Sequence, residues 1–138
     1  MKPSQLMAAS PVLADSSYYM RMMREGRDPL RALALAAATR DLVTCGIVRC
    51  EVGRGLRAPK ARRYFRAYWD VMINVPTDSR LWEDVEQTLW ELDRQGIVLP
   101  LTDVLIGCCA KRLGAVVLTY DHHFYEIPGV RATDRLEI

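Results

Sequence analysis

No apolar run in the 138-residue chain is long enough to cross a membrane, and Met1 to Ser10 lack the apolar stretch of a signal peptide. A cytoplasmic protein without membrane contact is therefore expected. The four cysteines, Cys45, Cys50, Cys108 and Cys109, include no C-x-x-C pair, which argues against a structural zinc site. Free cysteine usually behaves as a small buried apolar residue, so all four are expected in the core. A formal net charge of +2 is too small to indicate a nucleic-acid partner by itself. Internal repeats and low-complexity segments are lacking too, and the length allows one hydrophobic core of normal size.

What is present is an alternation of short apolar runs and amphipathic helical stretches, the pattern of an α/β fold with a parallel sheet. Pro11 to Ala14 reads as a first strand ending at Asp15, with Ser17 as the cap of a helix reaching about Glu25. Asp28-Pro29 opens a second helix to Arg40, a capping acid followed by proline at the first helical position. Leu42 to Cys45 is a second strand, with helices predicted over 47–56 and 58–69 and a weak strand over 71–75. Asp78 or Ser79 caps a helix whose Leu81, Trp82, Val85, Leu89 and Leu92 define a core face, ended by Gly96. Thr102 is expected to cap a helix starting at Asp103 and ending near Gly114. Ala115 to Thr119 has no polar alternation, as in a strand covered on both faces. A last strand is expected near 130–132.

On this reading Asp15 and Asp121 each fall just past the C-terminal end of an apolar strand, the edge where an open parallel sheet binds ligands. Asp103 opens a helix that starts near the same edge, and Glu51 lies one turn into the helix after the second strand. Each acid alone has an ordinary reading, as a turn residue, a solvated helix residue or a complement to a helix dipole. Brought together, four carboxylates would raise one another's pKa and destabilise the fold unless a cation were present. Oxygen-only ligands suit Mg²⁺ or Mn²⁺. Such an ion can lower the pKa of a bound water and stabilise charge on a phosphate.

At these residues the chain resembles the PIN-domain family, and within it the VapC-type toxins of bacterial toxin–antitoxin pairs. The resemblance is carried by Val12-Leu-Ala-Asp15-Ser-Ser17, by Val48-Arg-Cys-Glu51-Val and by the alanine-containing apolar helix opened at Thr102-Asp103. It is carried too by Val117-Leu-Thr119-Tyr-Asp121-His-His-Phe124, followed by Ile127-Pro-Gly-Val130. It runs from about Pro11 to Ala132, and the last two motifs are its specific part. It implies a three-layer fold with a central parallel sheet of about five strands flanked by helices. Residues 1–10 would be an N-terminal lead and 11–138 the PIN domain. It further implies a Mg²⁺- or Mn²⁺-dependent endoribonuclease, with metal coordination centred on Asp15 and Asp103 and completed by Glu51 and Asp121. Ser17 and Thr119 would support these ligands by hydrogen bonding. A cognate antitoxin and an RNA substrate are the implied partners, and a homodimer formed through apolar helices is expected. Tyr120 stands where many relatives carry Arg or Asn.

Six basic residues and no acid lie between Glu51 and Asp70, and Arg49 just precedes them. Of these, Arg54, Arg57, Lys60 and Arg62 are candidates for RNA contact or for a surface that binds the antitoxin. The interleaved Tyr64, Phe65, Tyr68 and Trp69 are expected in the core. His122 and His123 are expected in surface or hydrogen-bonded loop roles, since a metal-activated water needs no histidine, although His123 stands where relatives of the resembled family often carry a His near the site. Two other readings compete. One is a phosphatase with Asp15 as nucleophile, disfavoured because Ser17 stands where that class usually has a second aspartate. The other is a PIN-like module that binds RNA or protein without catalysis, disfavoured because all four acids are retained.

Overall fold

The computed structural model describes residues 10–136, so residues 1–9 of the expected lead lie outside it. Five strands form a single parallel sheet: β1 (Val12–Ala14), β2 (Leu42–Cys45), β3 (Ile73–Val75), β4 (Val116–Leu118) and β5 (Arg131–Thr133). Their spatial order is β3-β2-β1-β4-β5. The helices are α1 (Ser16–Arg24), α2 (Pro29–Ala36), α3 (Gly46–Gly53), α4 (Pro59–Trp69), α5 (Ser79–Arg94) and α6 (Leu101–Arg112), and a 3₁₀ turn spans His122–Glu126. This is the expected α/β architecture. None of these helices is long and apolar enough to cross a membrane.

The chain steps outward from β1 to β2 and β3, then returns to add β4 and β5 on the other side of β1. The point where strand order reverses is thus the β1–β4 junction, where an open α/β sheet leaves a crevice at its C-terminal edge. Register pairs Val12 with Val116, Leu13 with Val117 and Ala14 with Leu118. All six of these side chains are buried, as expected for central strands covered on both faces.

Several local expectations are corrected. Asp15, not Ser17, caps α1: its backbone is extended and its carboxylate accepts from the Tyr18 N–H. Pro100, not Thr102, precedes α6, and its carbonyl accepts from the Asp103 and Val104 N–H groups. That start leaves Asp103 in the first turn, where the helix dipole favours a carboxylate. α2 ends at Ala36, four residues early, where the Thr39 hydroxyl competes for the Ala36 carbonyl. Trp82 is exposed and Leu89 only half-buried, because Thr88 takes the inward position of α5 instead. Phe65 and Trp69 are buried as expected, whereas Tyr64 is exposed and Tyr68 half-buried. Cys45, Cys108 and Cys109 are buried, but Cys50 faces solvent on the short helix α3.

The 3₁₀ turn had no counterpart among the expected elements. It is anchored by Phe124, which is 0% exposed, and by Asp121, whose carboxylate accepts from the His123 N–H. Phe124→Ala is expected to lower the unfolding free energy by about 3–5 kcal/mol, read from a denaturant titration.

Candidate metal centre at the strand-order switch

Asp15 is the most enclosed of the four acids, 3% exposed at the end of β1. Three donors converge on it. Oδ1 accepts from the Ser17 hydroxyl at 2.8 Å and from the Tyr18 N–H at 3.1 Å, and Oδ2 accepts from the Thr119 hydroxyl at 2.9 Å. The protons can be assigned from the other bonds of those hydroxyls. Ser17 Oγ accepts from the Tyr120 N–H at 3.1 Å and Thr119 Oγ1 from the Asp121 N–H at 2.8 Å. Both hydroxyl hydrogens are therefore free to point at Asp15, and the 3.2 Å approach of the two oxygens holds no proton of its own. The arrangement stabilises an ionised Asp15 against its burial. Burial still prevails and pushes the Asp15 pKa up to about 6, with the Asp103 charge adding to the rise.

Asp103, Asp121 and His123 form the tightest group, each offering one donor atom within 4.8 Å of the others. His123 Nδ1 lies 2.7 Å from Asp103 Oδ2 and 3.1 Å from Asp121 Oδ1. Both partners are carboxylate oxygens, so Nδ1 carries the proton between them. The hydrogen bond to Asp103 is the main cause holding the His123 pKa above its ordinary value. Asp103 is itself shifted upward, first by burial and then by the charges of Asp121 and Glu51.

Glu51 is fixed by α1, its Oε1 accepting from the Ser16 hydroxyl at 2.7 Å. It and Asp15 stand outside the Asp103–Asp121–His123 group, although the charge of Glu51 acts on Asp103 and the charge of Asp103 acts on Asp15. The four sequence-predicted acids thus gather at one edge of the sheet, and Ser17 and Thr119 both bond to one of them. Arg54, Arg57, Lys60 and Arg62 are all exposed around the start of α4. His123 is hydrogen-bonded in a loop as expected, and the 3₁₀ turn folds its ring back onto Asp103, so that its bond falls within the acidic centre itself.

The donor set fits a hard divalent cation. Carboxylate oxygens from separate elements suit Mg²⁺ or Mn²⁺. The pKa values of Asp15 and Asp103 are raised first by burial and then by neighbouring acids, and a bound cation would offset both penalties.

The family profile of the PIN domain matches residues 12–130. An open parallel sheet with acids gathered at its strand-order switch is the class; the chain belongs to the PIN-domain family. No curated protein sequence matches it. Solved structures share the fold. DNA-bound VapBC from Salmonella typhimurium aligns with a TM-score of 0.73 at 19% identity, over 90% of this chain and 97% of that one. VapBC-1 from nontypeable Haemophilus influenzae gives 0.71 at 17% identity, over 89% and 96%. VapBC2 from Rickettsia felis, bound to a DNA fragment from its promoter, gives 0.68 at 18% identity, over 89% and 97%.

Thr119→Val keeps the shape of the side chain but removes a donor to Asp15 and the acceptor of the Asp121 N–H. It is expected to weaken Mn²⁺ binding by about 10- to 100-fold in calorimetry, while Thr119→Ser retains it. Equal affinities for the two variants would count against this role of the hydroxyl.

Proposed function

We propose that this PIN-domain chain is an endoribonuclease dependent on Mg²⁺ or Mn²⁺, and the toxin of a VapBC-type toxin–antitoxin pair. The observation that carries the nuclease reading is the gathering of Asp15, Glu51, Asp103 and Asp121 at the β1–β4 switch, with Asp103 and Asp121 sharing the Nδ1 of His123. Asp103 and Asp121 would hold the cation, with Asp15 and Glu51 completing the acidic cluster. A bound divalent ion supplies a lowered water pKa and charge for the phosphate. The chain's own contribution is to fix the ligands. Ser17 and Thr119 orient Asp15, and Ser16 orients Glu51. Water attacks the phosphorus in line, the P–O3′ bond breaks, and the departing O3′ takes up a proton. The products carry 5′-phosphate and 3′-hydroxyl ends. A nucleophilic role for Asp15, as in an aspartyl phosphatase, fits poorly because both of its oxygens are buried and already accept hydrogen bonds.

The toxin reading draws on the structural neighbours, which are VapBC proteins. It assigns the chain a cognate antitoxin, an RNA substrate, a cytoplasmic site of action and a homodimeric state.

Incubated with RNA and Mn²⁺ or Mg²⁺, the wild-type chain is expected to cut, and Asp15→Asn and Asp103→Asn to lose about 10²-fold or more of the rate. Undiminished cutting by both variants would sink the assignment. The toxin role has a separate check: expression in the host should arrest growth, and co-expression of the neighbouring small gene should relieve the arrest. Growth unaffected by an active nuclease would remove the toxin role alone.

A further inference from the structure

Asp121 and Ser17 also line a cavity of about 350 Å³ open to solvent, with Arg21, Arg24, Tyr120 and His122 among its other walls. Two arginines of α1, one turn apart, thus share a cavity with a residue of the candidate metal centre. None of Arg54, Arg57, Lys60 or Arg62 lines it. From this juxtaposition we infer that Arg21 and Arg24 bind the phosphodiester backbone of a single-stranded RNA where it enters the site, with Tyr120 as the buttress that holds Arg21 in place. The inference rests on the nuclease reading for the identity of the strand.

The two arginines are available for this task. Arg21 donates through Nε to Glu25 at 3.3 Å, an ion pair between two largely solvated side chains, and its Nη groups have no partner among the described residues. Such pairs are readily exchanged for a stronger one. Arg24 is exposed and makes no hydrogen bond or ion pair among the described residues. The Arg21 head is nevertheless not loose. It lies 4.2 Å from the centroid of the Tyr120 ring, and that ring is stacked on the buried Tyr18 at 5.6 Å and 17°. The Tyr120 backbone is tied through its N–H to Ser17 Oγ, itself a partner of Asp15. A guanidinium held in this way loses less freedom on binding a phosphate and offers it a two-pronged donor set. Cationic heads beside a cluster of carboxylates also answer an electrostatic need. An RNA strand approaching four acids is repelled, and Arg21 and Arg24 offset that repulsion at the mouth.

The test is the binding of a short labelled single-stranded RNA of mixed sequence, followed by fluorescence anisotropy in EDTA on the Asp103→Asn chain. Adding Arg21→Ala with Arg24→Ala is expected to raise Kd about tenfold and to flatten the logarithmic salt dependence by about 0.7 for each arginine lost. Tyr120→Ala is expected to weaken binding less, and Tyr120→Phe to bind as its parent does. A loss below about threefold in the double variant, with melting curves showing an intact fold, overturns the inference and leaves the cavity to a protein partner. Equal binding by Tyr120→Ala and Tyr120→Phe overturns the buttress role. RNA that is bound through these arginines but never cut by the wild type in Mn²⁺ would defeat the nuclease reading alone. RNA that is cut while the double variant binds normally would defeat only the arginine assignment.

Discussion

The pairing of β1 with β4 is the constraint on which the site depends. It places the ends of two strands side by side, Ala14 against Leu118, so that the next residues meet across the crevice. Asp15 then receives the Thr119 hydroxyl, and Thr119 receives the Asp121 N–H. Ser17, on the first turn of α1, closes the set by bonding both Asp15 and the Tyr120 backbone. A one-residue slip in that register would carry Asp15 away from Thr119 and leave that hydroxyl without its acceptor, although the local bonds from Ser17 and the Tyr18 N–H would survive. Packing secures the register, because every side chain in the paired triplets is buried.

Charge works against packing at the same place. Asp15 and Asp103 both sit where burial and neighbouring acids penalise ionisation. The protein meets this in two ways, with hydroxyl and backbone donors on Asp15 and with the His123 proton between Asp103 and Asp121. A divalent cation would satisfy the same carboxylates with more charge and in a smaller volume. Arg21 and Arg24 continue the theme one step outward, where cationic side chains border the acidic centre without pairing to it.

The strand positions and the acids were legible in the sequence because both depend on local pattern. Apolar runs such as Val116–Leu118 can only be covered strands, and an acid following such a run falls at the ligand-binding edge. Caps were less legible, since Asp15, Ser16 and Ser17 are all competent capping residues and only the pairing with Thr119 decides among them. The partner of His123 was less legible for a related reason: Asp103 lies 20 residues away, and no local rule brings the two together. The basic segment around α4 drew attention by its density, whereas Arg21 and Arg24 are sparse among apolar residues and gain meaning only from the cavity they border. Trp82 misled because helical spacing gives a face and not the depth to which each member of that face is covered.

One consequence of joining the first strand to the fourth concerns synthesis. The Asp15–Thr119 contact spans 104 residues. A ribosome that has released β1, β2 and β3 has produced most of the sheet but only part of the acidic centre. The centre closes only when β4 slots in beside β1 and the following turn brings Asp121 and His123 to Asp103. The full donor set therefore assembles all at once when β4 docks, so a chain still short of β4 carries Asp15 without Thr119 and Asp103 without His123. For whatever work that centre does, the topology itself sets a delay between translation and function.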